Sequence, residues 1–68
     1  MIEVGVIREY PDYENEFASF FTLKEAQKWL KEQRKWFENE GYKITCDNEN
    51  YDFTATDATS KFCYYINI

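Results

Sequence analysis

The residue types that carry most enzyme chemistry are scarce in this sequence. It contains no histidine, two cysteines and two glycines. Without histidine, the usual general base is absent, and so are the Ser/His and Cys/His nucleophile pairs. Two cysteines without histidine do not complete a closed zinc site, and two isolated glycines do not build a phosphate-binding loop. The sequence therefore predicts a non-enzymatic protein with no catalytic residues, no cofactor and no metal site.

One short acidic segment has a spacing worth comparing with a calcium-binding loop. Asp47, Glu49 and Asp52 lie within six residues of one another. However, Asp52 stands where such a loop requires glycine, and Ala58 stands where it requires a bidentate glutamate. We therefore interpret the segment as a solvated turn.

Acidic residues are better candidates for a function, because they are unevenly distributed. The net charge is −5, yet residues 23–40 hold five basic and four acidic residues, and the remainder holds three basic and nine acidic ones. The segments outside residues 23–40 should form an acidic surface, which would attract a basic partner and accelerate its association. The candidate partner-binding acids are Glu14, Glu16, Asp47, Glu49, Asp52 and Asp57.

Aromatic residues are abundant, with six Phe, six Tyr and two Trp. Most should form the core, since a chain of this length is marginally stable unless its core is dense. Tyrosine is also enriched at the energetic centres of protein interfaces. We therefore take Tyr10, Tyr13, Tyr51 and Tyr65 as candidate aromatic anchors. Trp29 and Trp36 are expected to lie over the margin of a sheet.

A basic ridge supports an alternative function. Lys24, Lys28, Lys31 and Lys35 recur at helical spacing and fall on one side of a helix. Such a ridge is usually a solvated outer face, but it could also bind nucleic acid. Nucleic acid is the less favoured partner, because the negative net charge opposes its approach. A homodimer of purely structural role is a further alternative.

The elements that must position these residues follow from hydrophobic periodicity and turn residues. Thr22 and Glu25 fit a helix-capping box, and Gly41 suits the residue after a helix, so residues 23–40 are predicted to be one amphipathic helix. Alternation of apolar residues predicts strands elsewhere. The predicted strands are 2–9, 16–21, 42–47, 51–56 and 61–67, with turns at 11–15, 47–50 and 57–60.

This order, ββαβββ, predicts a single two-layer α+β domain over residues 1–68, in which one helix packs on an antiparallel sheet. The second face of the sheet should carry Cys63 and Tyr65, together with Ile7 and Phe20. An apolar second face needs a cover, which the first hairpin folding over it, a homodimer partner or a target could supply; of these we favour a protein contact. Cys46 and Cys63 are expected to be buried free thiols on opposite faces, as in a cytoplasmic protein.

The composition also indicates a source. Phe, Tyr, Ile, Lys and Asn, which have AT-rich codons, supply 28 of the 68 residues, whereas Gly, Ala, Arg and Pro supply 9. This bias is typical of a low-GC bacterium or its phages. No apolar run approaches the length of a membrane span, and the first residues lack a signal-peptide pattern. The leading hypothesis is therefore a cytoplasmic, phage- or mobile-element-encoded protein. It would bind and inhibit a host protein with a basic surface, such as a nucleic-acid enzyme or an antiphage defence complex, with DNA mimicry as one mode of binding.

Overall fold

A computed structural model describes residues 1–46 and 48–67 of the chain. Five antiparallel strands form one sheet in the spatial order β2-β1-β5-β4-β3, and one helix packs across it. The predicted two-layer α+β fold and the order ββαβββ are therefore confirmed. The elements are β1 (Ile2–Tyr10), β2 (Glu14–Phe20), α1 (Leu23–Asn39), β3 (Lys43–Thr45), β4 (Asp52–Thr56) and β5 (Lys61–Asn67).

The strand register assigns every strand residue to one of two faces. Residues directly opposite each other in an antiparallel pair share a face, so Val4 lies on the same face as Ala18 and Ile66. We call this side, which α1 covers, the helix face, and the other side the open face. The core lies between α1 and the helix face. Its buried residues are Val4, Ala26, Leu30, Phe37, Phe53, Ala55, Tyr64 and Ile66.

The open face differs from the prediction at one residue. The register places Ile7, Cys63 and Tyr65 there, as predicted. Phe20, however, lies opposite Ile2 on the helix face, and its ring centroid is 5.5 Å from that of Trp29. The prediction for Phe20 is therefore wrong. Residues 16–21 carry phenylalanines of both parities, so alternation alone does not orient this strand.

Local backbone chemistry fixes both ends of α1. The Thr22 hydroxyl accepts a hydrogen bond from the Glu25 amide (3.2 Å) and donates one to the Glu25 carboxylate (3.0 Å). At the other end, Gly41 has a φ of +87°. The Gly41 amide donates to the Glu38 carbonyl (3.1 Å), and the Tyr42 amide donates to the Phe37 carbonyl (3.0 Å). This is the Schellman motif that a glycine after a helix favours.

α1 crosses the sheet diagonally. Near its start, Trp29 packs against Phe20 of β2, and near its end, Phe37 packs against Phe53 of β4. A diagonal helix leaves corners of the helix face uncovered. One of them contains the charged residues at the end of β1 and the start of β2, where Glu14 and Glu16 are exposed.

Both cysteines are free thiols, but the prediction that they are buried is wrong. Cys46 is exposed and Cys63 is half-buried. β3 ends at Thr45, one residue before Cys46, so the thiol lies outside the strand that would have buried it. Its sulfur lies 4.0 Å from a guanidinium nitrogen of Arg34.

Candidate functional site

The candidate site begins with a cluster of aromatic rings around Phe37. Phe37 is only 4% exposed, and its ring lies at the centre of the cluster. The Trp36 ring packs against it in a T-shaped arrangement at a centroid distance of 4.9 Å. The Phe62 and Tyr64 rings of β5 lie 5.0 and 5.8 Å from it. Phe37 therefore anchors Trp36 to the core, even though Trp36 itself faces outward.

The helix-ending motif supplies a further ring of this cluster. In a Schellman motif, the second residue beyond the helix C-cap commonly packs against the last turn. Here that residue is Tyr42, whose ring meets Phe37 at 4.8 Å in a T-shaped arrangement. The Tyr42 hydroxyl shares a 2.7 Å hydrogen bond with the hydroxyl of Ser60, a buried residue at the end of the β4–β5 turn. The motif and this hydrogen bond together fix Tyr42.

These rings enclose a concave surface on the uncovered corner of the helix face. It has a volume of about 540 Å³, which is within the range of pockets that bind ligands. Trp36 is 55% exposed, a high value for a tryptophan that contacts the core. We call this surface the aromatic cleft. Its lining residues are Glu32, Gln33, Trp36, Phe37, Tyr42, Phe62 and Tyr64.

One carboxylate lines the aromatic cleft, and two others lie on the same face of the sheet. Glu32 is the one that lines the cleft. On the sheet side, Glu16 shares the helix face with Val6 and Tyr64, and Glu14 shares it with Arg8 and Phe62. We call Glu14, Glu16 and Glu32 the acidic rim.

A buried hydroxyl at this corner responds to a nearby negative charge. Burial raises the pKa of the Tyr64 hydroxyl, and the charge of Glu16 raises it further. Arg8 is the basic residue on this part of the helix face. Its guanidinium lies 2.7 Å from the Glu14 carboxylate and donates to the Asp12 carbonyl at 3.1 Å. The charge of Arg8 is therefore balanced by Glu14, whereas Glu32 lies one helical turn from Lys28 and Lys35 on α1.

The other candidate acids lie at two separate places. At the β3–β4 connection, Glu49 lies 4.0 Å from Arg34, and the Asp52 carboxylate accepts a hydrogen bond from the Asn48 amide (3.3 Å). Asp57 begins the β4–β5 turn, near the end of β1. Asp47 lies outside the described residues. The structure thus brings Glu14 and Glu16 together, whereas the remaining described acids lie apart from them.

The Asp57 carboxylate is occupied by its own turn. It accepts hydrogen bonds from the amides of Thr59 and Ser60, both at 2.8 Å, and from the Thr59 hydroxyl at 2.9 Å. The Thr59 amide is the largest cause of the lowered pKa of Asp57, and the Ser60 amide and both hydroxyls lower it further. A carboxylate held in this way stabilises the turn and has little freedom to reorient toward a partner.

The four candidate tyrosines do not form one surface. Tyr13 is 67% exposed in the β1–β2 turn, and Tyr10 at the end of β1 donates a hydrogen bond to the Asp57 carbonyl (3.2 Å). Tyr51 packs against the core beside β4. Tyr65 lies on the open face, where its ring covers Gly5 so closely that a Cβ on Gly5 would overlap it. Tyr10 and Tyr13 are thus near the β1–β2 turn, and the other two are elsewhere.

The basic ridge occupies the outer side of α1. Lys24, Lys28, Lys31 and Lys35 are all exposed. Within residues 1–46 and 48–67, none of these lysines lies within 4.0 Å of a carboxylate. The ridge therefore remains a second candidate surface, on a different side of the helix from the aromatic cleft.

Two absences concern the described part of the chain. There, no group of three or more cysteine, aspartate and glutamate side chains is arranged to hold a metal ion. In the same residues, no helix has the length and apolar character needed to cross a membrane.

None of the residues that line the cleft was among the candidate site residues from the sequence. Trp36 and Trp29 were expected at the sheet margin, seven residues apart, and that spacing was the available signal for Trp36. Glu32, Tyr42 and Phe62 gave no separate signal, because they belong to an amphipathic helix and to alternating strands. The angle at which α1 crosses the sheet brings them together.

Comparison of the chain with protein-family models, with curated proteins and with solved structures finds no match.

Proposed function

We propose that this chain is a non-enzymatic protein-binding module that binds a basic partner through the aromatic cleft and its acidic rim. The observation that carries this proposal is Trp36, a ring that is 55% exposed yet packed in a T-shaped arrangement against the core residue Phe37. Rigid, partly exposed tryptophans are the side chains most often responsible for affinity at interfaces. A concave surface around such a ring lets a partner bury it further.

The charge distribution supports a basic partner. The chain has a net charge of −5, Glu32 lines the aromatic cleft, and Glu16 shares the helix face with Tyr64. Complementary charge accelerates association and selects among partners. Other acids of the chain, such as Glu49, would add long-range attraction without contacting the partner.

Inhibition of a host protein is the form of this function that we propose first. Nucleic-acid enzymes and antiphage defence complexes have basic grooves, and an acidic protein that occupies such a groove blocks the natural ligand. The bias toward residues with AT-rich codons supports a phage or mobile element of a low-GC host as the source. DNA mimicry remains a prediction, and we expect recognition to depend on the aromatic rings as well as on charge.

Affinity capture with matched variants tests the proposal. The wild-type chain, Trp36→Ala and Phe21→Ala are immobilised and exposed to a nuclease-treated lysate of a low-GC bacterium. Phe21 is a suitable control, because it is 83% exposed and lies before the start of the helix, outside the cleft. We expect one stoichiometric protein partner that the wild type and Phe21→Ala retain and Trp36→Ala loses.

A double variant that reverses two charges of the acidic rim, Glu16→Lys with Glu32→Lys, should abolish capture of this partner. Glu3→Lys, which reverses a charge on the open face, should preserve it. Capture that is equal for all variants would contradict the proposal.

The exposed lysines of the basic ridge, which have no carboxylate within 4.0 Å among the described residues, favour nucleic-acid binding as a second candidate function. A gel shift with single- and double-stranded oligonucleotides at low salt tests it. Non-specific binders reach Kd values of about 10⁻⁴–10⁻⁶ M at physiological salt, so the absence of a shift at tens of micromolar protein would remove this candidate. A shift that Lys28→Glu with Lys31→Glu abolishes would establish it.

A further inference from the structure

The two edges of the sheet differ in how they are protected against pairing with a further strand. β3 forms one edge, has only three residues and carries the exposed Lys43. Short edge strands and edge lysines are devices that keep a sheet from extending. β2 forms the other edge with seven residues, and its sequence ENEFASF contains no lysine, proline or glycine. The devices that protect the β3 edge are therefore missing from the β2 edge.

The backbone of β2 is regular along its whole length. Its pairing with β1 runs without a shift from Phe20, which lies opposite Ile2, to Glu14, which lies opposite Arg8. No bulge therefore bends this edge away from an approaching strand. Among the residues that the structure describes, no strand pairs with the outer side of β2. Such an edge presents a row of backbone donors and acceptors that another strand can satisfy.

Exposed aromatic rings are concentrated along β2. Phe17, the middle residue of the strand, is 54% exposed, and Tyr13 just before the strand and Phe21 just after it are 67% and 83% exposed. These rings are spaced four residues apart, so the set is symmetrical about Phe17. Phe17 also lies opposite Gly5, which in turn lies opposite Tyr65. Phe17 is therefore the edge residue of a row that crosses the open face.

We propose that β2 pairs in antiparallel fashion with β2 of a second copy of this chain, about a two-fold axis at Phe17. Phe17 then lies opposite Phe17 of the second copy, and all seven residues of β2 are paired. Continued by one residue at each end, this register places Tyr13 opposite Phe21 of the second copy. Each exposed ring thus faces another ring, and aromatic pairs across antiparallel strands stabilise a sheet. The inference goes beyond the proposed function and does not depend on it.

The same register keeps the carboxylates of β2 apart. Glu16 lies opposite Ala18 of the second copy, and Glu14, whose carboxylate is 2.7 Å from Arg8, lies opposite Phe20. A register centred on Glu16 would instead place two Glu16 carboxylates directly opposite each other, which is destabilising, and would pair fewer residues. A parallel arrangement would set each glutamate beside its own copy. The antiparallel register centred on the middle of β2 avoids both conflicts.

The two helices fit side by side in this arrangement. The first half of α1 lies over the Phe20 end of β2, where the Trp29 and Phe20 ring centroids are 5.5 Å apart, and the corner at Glu14 is uncovered. The antiparallel register places the covered end of one copy beside the uncovered end of the other. The net charge of −5 on each copy opposes association only weakly, because physiological salt screens charges more than about 8 Å apart.

Sedimentation equilibrium over a range of protein concentrations tests the inference. We expect the mass to rise from that of one chain to that of two, with a Kd on the order of 10 µM, as for a small interface. Phe17→Ala should weaken association at least about tenfold. Trp36→Ala is the matched control, because it removes a ring of similar exposure (55%) away from β2, and it should leave association unchanged. Unfolding measured below this Kd reports the monomer alone.

A charge-exchange experiment tests the register itself. Phe17→Lys and Phe17→Glu should each be monomeric alone, because like charges would lie opposite each other across the two-fold axis. Their equimolar mixture should form a dimer, since opposite charges then face each other, and this recovery shows that both variants are folded. The same two substitutions at Phe21, which faces Tyr13 in this register, should show no recovery on mixing.

Amide hydrogen exchange distinguishes edge pairing from stacking of two open faces. Alternate residues of a strand direct their N–H groups to opposite sides. Raising the protein concentration should therefore slow exchange at every second amide of β2 and leave the amides of β3 unchanged. Stacking of open faces would leave the β2 amides unprotected and would overturn the inference.

Three further results would overturn the inference. These are the mass of one chain at every concentration up to the solubility limit, a dimer that Phe17→Ala retains or Trp36→Ala loses, and a mixture of Phe17→Lys and Phe17→Glu that stays monomeric. None of these results bears on the proposed function, which fails only if Trp36→Ala captures the same protein as the wild type. Phe17→Ala should capture that protein normally.

Discussion

The aromatic cleft and the open face both expose aromatic rings, but the two surfaces are built differently. In the cleft, Trp36 lies against the buried ring of Phe37, on a concave surface with carboxylates at its edge. On the open face, Phe17 is 54% exposed, and the Tyr65 ring lies over Gly5. Tyr65 thus replaces the side chain that Gly5 lacks, which is a way to stabilise a glycine in a strand.

This difference shows that exposure of a ring is not sufficient to indicate a binding site. The Tyr65 ring packs on the sheet and covers Gly5. The Trp36 ring packs on the core residue Phe37 and leaves more than half of its surface exposed. The diagonal path of α1 creates this contrast, because it leaves a corner of the helix face open beside a dense aromatic core. Substitutions confined to one surface or the other test this contrast.

The largest effect is expected from removing the ring at the centre of the core. Phe37→Ala should lower the free energy of unfolding by about 3–5 kcal/mol, since it deletes a buried ring that contacts several others. Phe17→Ala, which removes an exposed ring from the open face, should change it by about 0.5 kcal/mol or less. Chemical denaturation of both variants measures this difference. Similar losses for the two would contradict the account of the core.

The next effect concerns the close contact of Gly5 and Tyr65. Gly5→Ala should destabilise the protein by about 1–3 kcal/mol, because the added methyl group overlaps the ring. In a Tyr65→Ala background the same substitution should cost much less. A double-mutant cycle by denaturant unfolding measures the coupling. If the costs of the two substitutions are additive, overlap with the Tyr65 ring is not the cause of the loss of stability in Gly5→Ala.

A smaller effect on stability is expected at Trp36. Trp36→Ala should lower the free energy of unfolding by about 1 kcal/mol or less, since more than half of the ring is exposed. The same substitution should remove partner binding. Thermal unfolding and affinity capture on one preparation separate the two effects. A loss of stability as large as that of Phe37→Ala would place Trp36 in the core and remove it as a binding residue.

The smallest effect is expected at Asp57, and it depends on pH. Hydrogen bonds from its own turn, led by the Thr59 amide, lower the pKa of Asp57 below its usual value of 3.8. The stabilisation is therefore present above the pKa of the unfolded chain and is lost as pH falls through the lower pKa of the folded chain. Asp57→Asn should lower the unfolding temperature at pH 7, and this difference should shrink below pH 3.8. It should leave partner binding unchanged, in contrast to Glu32→Gln.

The sequence predicted the fold well, because the determining signals are local. Thr22 and Gly41 mark the two ends of the helix. The alternation of apolar residues over 61–67 predicts a strand with the same first and last residues as β5. Residues 16–21 were harder: alternation did not decide which face of the sheet Phe20 would occupy. Pairing with Ile2 decided it, and that contact joins two strands.

The candidate site was less predictable for the same physical reason. Glu16 was identified from charge alone, but its proximity to Tyr64 depends on the register of three strands. Asp57 was identified in the same way, although its carboxylate is used by the turn that it begins. Trp36 became a candidate only when the helix angle was known, because that angle determines which part of the helix face stays uncovered.

The most direct test of the central claim is to map the contact surface in solution. The ¹⁵N-labelled chain is titrated with the partner recovered by affinity capture, and line broadening is recorded for each residue. We predict that broadening concentrates at the Trp36 indole N–H and at the amides of Gln33 and Phe62, while Phe17 and Tyr65 on the open face are unaffected. Broadening confined to the open face or to the basic ridge would contradict the account.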